Sequence, residues 1–310
     1  MVAADIERAA DALRRGELVI LPTETVYGLA CDAANARAVA AVFAAKGRPR
    51  FNPMIAHVTD LEAAERIAAL PERALRLAEA FWPGPLTLAA PVKDPSGVCD
   101  LARAGLDSVA VRAPDHPVAQ AVLQAFGRPL AAPSANRSGR PSPTTYADAT
   151  EETGPVAAVV LNGGPCRIGL ESTVVGAFEG QLTLLRPGGI TRAQIEAVAG
   201  PLSTGDGDDG HRSPGRMTRH YAPAAPLHLN LARPAPGHAF LAFGPDPATG
   251  PMVWNLSPTG DLVEAAANLF TYLRAADRAG PPGIDVAPIP GIGLGEAIND
   301  RLARGAGRVG

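Results

Sequence analysis

Cysteine is scarce. It occurs three times in 310 residues, at Cys31, Cys99 and Cys166. The scattered, odd set argues against a disulfide framework or a zinc cluster and suits a reducing cytosol. Long apolar runs are missing, so no transmembrane helix is expected. The opening stretch, MVAADIERAADALRRG, has no apolar signal core, and its charges are spaced as on an exposed helix face. Aromatic residues make up only 5% of the chain, which disfavours a platform for stacking single-stranded bases. The net charge of −3 disfavours non-specific duplex binding over the whole surface. It leaves room for a local basic cleft. Neither a P-loop nor a strand followed by G-x-G-x-x-G is present, and GIGLG at 291–295 opens no βαβ unit and reads as a turn. No Ser/His/Asp or Cys/His constellation is legible. Carboxylates are sparse in the motif-bearing segments, so a glycosidase-type pair is not indicated. No repeat of fixed period occurs.

What is present describes a globular α/β chain with ample material for a core: 46% apolar and 19% charged residues. Apolar spacing predicts a helix over 5–15 with Gly16 as its C-cap, then a strand at 17–21. Asn35 caps a helix carrying Val39, Val42 and Phe43 on one face and ending at Gly47. A strand at 54–58 and two short helices split at Pro71 follow. Further strands are expected after FWPGP, at 108–114, and in AAVVLNGG, ESTVVGAF and QLTLLRPGG. Helices are expected at 116–126 and from Thr191 to Gly200. Such irregular alternation predicts a twisted mixed sheet with helices packed on it. Composition changes at 201, where PLSTGDGDDGHRSPG reads as a linker. From 227 a smaller unit begins, with short apolar runs, a helix at 261–278 and a last helical stretch, EAINDRLAR. The expected division is 1–200, 201–226 and 227–310.

Chemistry concentrates at strand ends. Thr23 and Thr25 close an apolar run, with Tyr27 and Gly28 behind them. A helix-length segment then delivers Lys46, Arg48, Arg50, Asn52 and His57. Lys46 and Arg48 suit phosphate oxygens; they equally suit the cation-favouring end of a helix dipole. His57, inside an apolar strand, reads as a site group or as a satisfied core histidine. In PSANRSGRPSPTT, Ser134, Asn136, Ser138, Ser142, Thr144 and Thr145 stand beside Arg137 and Arg140. These residues can bond phosphate, ribose or an adenine edge, or simply build turns. GGPCRIGLESTVVG permits close backbone approach and places Glu171, Ser172 and Thr173 at the start of a strand. Arg112 and Arg186 end two other strands, where each can bind a carboxylate or phosphate or stay a surface charge. Cys166 beside Arg167 is either an activated or a bland thiol. Polar strand ends that recur in several segments converge on one crevice in open sheets. The whole reads as a site that binds and orients anions, without a covalent enzyme intermediate.

These motifs resemble a known family. PTETVYGLACDA, KGRPRFNPMIAHV, FWPGPLTL, SVAVRAPDHP, APSANRSGRPSPTT, GGPCRIGLESTVVG, LLRPGGIT and SPGRMTRHYAP are similar, in order, to the threonylcarbamoyl-AMP synthases of the Sua5/YrdC/YciO family. AANLFTYLRAAD and GLGEAINDRLARG resemble the C-terminal domain of its long form. The resemblance implies a YrdC-like twisted mixed sheet with helices around a concave basic cavity, plus a small Rossmann-like domain. It implies an enzyme, a nucleotidyltransferase, that converts L-threonine, bicarbonate or CO2 and ATP to threonylcarbamoyl-AMP and pyrophosphate. Mg2+ would accompany the ATP, with no metal held by the protein alone. The product would serve t6A37 formation in tRNA through a Kae1/TsaD-type transferase, with tRNA binding weak or indirect and no membrane involved. The setting implied is cytoplasmic.

By the same resemblance Lys46 and Arg48 are the K-x-R pair and the catalytic cations. Thr25, His57, Arg112, the backbone at Ala132 and Ser172 would hold threonine. Arg48, Asn52, Ser108, Ser134, Asn136, Ser142, Arg186 and Tyr221 would hold ATP. Residues 211–223 would close over the nucleotide and keep water from a labile mixed anhydride. Two departures stand out. Arg216 precedes Met217 where the family often has glycine, and the C-terminal unit is short and rich in Pro and Gly. Two rival readings are a carbamoyl-adenylate-forming relative, whose zinc-finger and acylphosphatase modules do not occur in these residues, and an RNA-binding module using the basic cleft.

Overall fold

Polar strand ends can meet only if the strands carrying them share a sheet, and they do. The structure, a computed structural model, describes residues 3–49, 51–93, 97–204, 220–245 and 249–307. The first unit runs α1 (Ala3–Arg14), β1 (Val19–Leu21), β2 (Gly28–Asp32), α2 (Ala36–Lys46), β3 (Ile55–His57), α3 (Leu61–Ile67), α4 (Glu72–Phe81), β4 (Leu86–Pro91) and β5 (Ser108–Arg112). It continues through α5 (Pro117–Phe126), β6 (Leu130–Ala131), α6 (Tyr146–Thr153), β7 (Val159–Val160), β8 (Thr173–Phe178), β9 (Gln181–Arg186), α7 (Arg192–Ala199) and β10 (Ser203–Thr204). Among the described residues these strands form one ten-stranded sheet in the order β10-β9-β8-β4-β5-β3-β6-β2-β1-β7. Parallel and antiparallel pairings mix along it: β3–β5 and β4–β8 are parallel, whereas β4–β5, β2–β6 and β8–β9 are antiparallel. The mixed α/β architecture expected from the irregular alternation is the one observed.

Local chemistry explains the helix that feeds the site. Asn35 Oδ1 accepts the Arg37 and Ala38 amides at 3.0 and 3.2 Å, capping α2 as expected. At the other end Gly47 takes φ 58°. Its N–H donates to Ala44 O and that of Arg48 to Phe43 O, the paired bonds of a Schellman ending. This reversal turns Lys46 and Arg48 back toward the sheet. The β2 strand had no clear sequence signal, because Gly28–Asp32 is buried on both faces and lacks alternation.

The second unit is built on β11 (Leu227–Leu229), β12 (Ala239–Ala242), β13 (Val253–Asn255), α8 (Leu262–Arg278), β14 (Ile284–Val286) and α9 (Leu294–Gly305). Its four strands are all parallel, in the order β11-β14-β12-β13, which is the small Rossmann-like sheet expected. The boundaries are less clean than the composition suggests: β10, inside the expected linker, pairs with β9. Much of that linker, including Arg216, Met217 and most of the expected closing segment, lies outside the described residues.

The two units share a mixed interface. Val26 and Leu170 of the first unit belong to the core of the second, among Leu227, Leu269, Phe270 and Ile298. Arg274 of α8 donates to Glu152 Oε1 at 3.1 Å and to Pro141 O. Thr271 and Thr144 hydroxyls meet at 2.9 Å. Within the second unit, His228 and His238 both meet Asp285 Oδ1 through Nδ1 at 2.9 Å, and Ala235 N–H donates to Asp285 Oδ2. These three side chains are the one convergence of metal-ligating groups among the described residues. Both oxygens of the buried carboxylate are already satisfied there, so the set reads as structural.

Glu152→Ala should therefore strand Arg274 as a buried cation and cost about 3 kcal/mol, seen as a lowered urea midpoint. Glu62→Ala, which removes the exposed Glu62–Arg66 pair, should leave the midpoint in place.

Candidate active site

The floor begins where β1 stops. Thr23 Oγ1 accepts the Thr25 and Val26 amides at 3.2 Å each and donates to Val26 O at 2.6 Å. This turn faces the Thr25 hydroxyl inward, 2.9 Å from Thr23 Oγ1. Arg112 lies opposite His57 in the β3–β5 ladder. It donates to Thr25 Oγ1 at 2.9 Å, to Glu24 Oε1 at 2.5 Å and to Gly84 O at 3.2 Å. Burial, with the Arg112 charge adding to it, pushes the His57 pKa down to about 3. The imidazole is neutral at physiological pH and acts as a hydrogen-bonding group.

The opposite wall comes from β8 and β9. A register irregularity lies between Val174 and Val175, with Val174 facing Arg186 across the ladder. Arg186 donates to Ser172 O at 2.9 Å and to Ser172 Oγ at 3.2 Å. The Ser172 hydroxyl in turn lies 2.7 Å from Thr87 Oγ1. Gly188 is required here, since a Cβ would stand 2.4 Å from Glu171 O and from Thr173 N. Ser142 donates to Glu171 Oε1 at 2.5 Å, and Arg301 of α9 donates to Oε2 at 2.8 Å. Burial alone would raise the Glu171 pKa, but the Arg301 and Arg186 charges and these hydrogen bonds hold it below the usual range. Glu171 is a fixed anion.

Arg48 anchors through Nη2 to Pro53 O at 2.7 Å and through Nε to Asn52 O at 3.1 Å. Burial lowers its pKa to about 10, so it remains a cation at neutral pH. Lys46 is different. Its Nζ donates to the carbonyls of Ser134 and Asn136, and burial, with Arg48 nearby, puts its pKa well below the ordinary lysine value. It ties the 133–145 loop to the end of α2. His220 and Tyr221 form the far wall, their rings edge-on with centroids 4.0 Å apart.

One cavity thus gathers Thr25, Arg48, His57, Arg112, Ala132, Ser134, Ser172, Arg186 and Tyr221. Five other expected residues lie outside its lining. Lys46 stands beneath the floor. Asn52 offers a buried Nδ2 and Asn136 a buried Oδ1, both without partners. Ser108 is buried at the start of β5. Ser142 is spent on Glu171. Residues to which the family resemblance gave no role also line it: Thr23, Glu171 and His220. His220 sits beside Tyr221, so the linker signal contained it. Glu24, the partner of Arg112, lies between the two threonines and carried no separate signal. The Cys166 thiol is buried, and that burial raises its pKa. It is not an activated nucleophile.

Three guanidinium groups, several hydroxyls and no activated nucleophile, gathered in one recess of a mixed sheet, define an α/β enzyme that orients anionic substrates. The comparisons with known proteins carry this further. The family model described as Telomere recombination (Sua5, YciO and YrdC) matches residues 11–188, and the one described as Threonylcarbamoyl-AMP synthase, C-terminal domain, matches 190–307. The threonylcarbamoyl-AMP synthase of Bacillus subtilis is 40% identical over 97% of this chain and 93% of its own. That of Pyrococcus abyssi is 39% identical over 97% and 94%. The crystal structure of P. abyssi Sua5 complexed with L-threonine matches with a TM-score of 0.91 at 38% identity, covering 99% of this chain and 96% of that one. The chain belongs to the Sua5/YrdC/YciO family of threonylcarbamoyl-AMP synthases.

Two outcomes follow from the charges. His57 and His220 are both buried with pKa values near 3. Below pH 6.5 the unfolded chain takes up their protons while the folded chain does not. The cost these two histidines impose is therefore absent above about pH 6.5 and grows toward pH 3, by about 1.4 kcal/mol per pH unit for each histidine. His57→Gln should flatten that slope in pH-dependent urea titrations. Lys46→Met should weaken ATP binding about tenfold or more through the displaced Ser134 loop, read by calorimetry.

Proposed function

We propose that this chain forms threonylcarbamoyl-AMP and pyrophosphate from L-threonine, bicarbonate or CO2, and ATP. The observation that carries the reading is one cavity lined by two kinds of group. Arg112, Thr25, His57 and Ser172 suit an amino acid, and Arg48, Ser134 and Arg186 suit a polyphosphate. The relative solved with L-threonine and the relatives named as synthases support the same assignment.

Arg112 and the Thr25 hydroxyl receive the threonine carboxylate, with Glu24 holding the guanidinium in place. Neutral His57 and Ser172 orient the amine and side chain. The amine loses a proton and bonds carbon to give an N-carboxylate; with bicarbonate, water is released. A carboxylate oxygen then bonds the α-phosphorus as the bond to pyrophosphate breaks. Arg48 and Arg186 offset the charges that must be brought together, and their positions, fixed by backbone carbonyls, need no reorganisation. Tyr221 and His220 wall off water, which would hydrolyse the mixed anhydride.

Glu171, the carboxylate in the cavity lining, is engaged by Arg301 and Ser142, and Glu24 Oε1, outside that lining, is engaged by Arg112. The Mg2+ of the reaction is taken as part of the MgATP substrate, whose phosphate oxygens it would bind. The product would pass to a separate transferase of the Kae1/TsaD type, with tRNA binding weak or indirect. The free thiols of Cys31, Cys99 and Cys166 suit a cytoplasmic setting. Among the described residues no helix is long and apolar enough to cross a membrane.

The deciding assay measures pyrophosphate release from ATP with threonine and bicarbonate omitted in turn. Release should require both. Release that ignores threonine, or that needs carbamoyl phosphate instead, would move the chain to carbamoyl-adenylate chemistry.

A further inference from the structure

The C-terminal unit does more than dock, because one of its side chains reaches the cavity wall. Arg301 projects from α9 and is 1% exposed. Its Nε meets Glu171 Oε2 at 2.8 Å, Nη1 meets Asp300 Oδ2 at 2.7 Å, and its guanidinium carbon lies 5.2 Å from the centre of the Tyr221 ring. Its third arm, Nη2, is buried without an acceptor. The fold carries that unmet donor while placing the other two arms. Glu171 and Tyr221 both line the cavity. Tyr221 also holds a left-handed backbone, φ 61°, a conformation that a non-glycine residue keeps only when its surroundings enforce it. Phe270 beneath the ring, at 5.5 Å, and the Ala222 amide on Gly139 O, at 2.7 Å, supply part of that enforcement. The Arg301 face completes it.

We propose that Arg301 is a positioning residue of the synthase site, holding the Glu171 carboxylate and the Tyr221 ring so that Glu171 does not compete with nucleotide for the cationic side of the cavity. Arg186 lies on that side, bonded to Ser172, the residue next to Glu171. Without Arg301, Glu171 is a buried anion left with the Ser142 hydrogen bond and the Arg186 charge. It then turns its field on the arginines that meet the triphosphate, or it takes up a proton. The site is thus complete only when the C-terminal unit is docked. This inference rests on the proposed function and adds a role for the second unit to it.

The test uses the full chain with four variants: Arg301→Met, Arg301→Lys, Glu171→Gln, and the double variant R301M/E171Q. Thermal melts establish that each is folded. Pyrophosphate release gives KM for ATP and kcat, and calorimetry gives affinity for a non-hydrolysable ATP analogue. R301M should raise KM for ATP about tenfold or more, with a smaller change in kcat. Adding E171Q should restore KM to within about threefold of the parent, because the uncompensated anion is gone. R301K, which keeps the charge but loses the fork, should fall between. The R301M defect should shrink as pH is lowered toward 6, where a protonated Glu171 no longer opposes nucleotide, and the double variant should show no such trend. A purely structural role would lower the melting temperature and leave both the pH trend and the rescue absent. The proposal is overturned if R301M binds ATP as the parent does, or if the double variant is as impaired as R301M at every pH. Failure of the functional reading would show separately, as a parent chain that makes no threonine-dependent pyrophosphate. If R301M does not fold, the charge-neutral double variant and R301K still decide the matter.

Discussion

Guanidinium groups drawn into one recess repel each other and lose hydration, and the architecture around this cavity answers that cost. Each cation is pinned by acceptors that do not move. Arg48 has the carbonyls of Asn52 and Pro53, Arg186 has Ser172, and Arg112 has Glu24, Thr25 and Gly84. Fixed carbonyl dipoles satisfy donors without cancelling charge, so positive potential survives for a phosphate or carboxylate. Full carboxylate partners are used sparingly, and where they occur they are clamped. Glu24 belongs to Arg112, and Glu171 is shared out to Ser142 and Arg301.

This arrangement explains why the sheet is mixed and why its strands are short. Parallel pairing of β3 with β5 brings the His57 and Arg112 ends together, and antiparallel pairing of β4 with β5 continues the sheet toward β8. The β8–β9 hairpin returns Arg186 beside Ser172. The helices contribute by their endings more than by their lengths. The Schellman turn at Gly47 sends Lys46 under the floor and Arg48 into the wall. The second unit supplies a lateral support that reaches as far as the tyrosine of the linker.

Much of the site was legible because its chemistry is local. A threonine turn at a strand end, a Lys-x-Arg pair after a helix stop, and arginines preceding Pro-Gly or Ala-Pro are readable one segment at a time. The capping of α2 by Asn35 and of α7 by Thr191 followed directly from side-chain hydrogen bonding. Less legible were residues whose role depends on a distant partner. Ser142 was legible as a loop hydroxyl able to bond phosphate, but its hydrogen bond to Glu171 was not. Lys46 looked like a free cation and bonds two backbone carbonyls 88 and 90 residues away. Glu24 had no signal, since its meaning comes from Arg112.

By itself the sequence determined the kinds of group available and the breaks between elements, because propensity, capping and turn chemistry act over a few residues. It also carried the family motifs. Tertiary structure alone decided which cations face the cavity and which lie beneath it, and that Arg301 of the last helix stands behind Glu171. Those outcomes depend on burial and on charge pairing across the chain, and both exist only once distant strands and the second unit have packed.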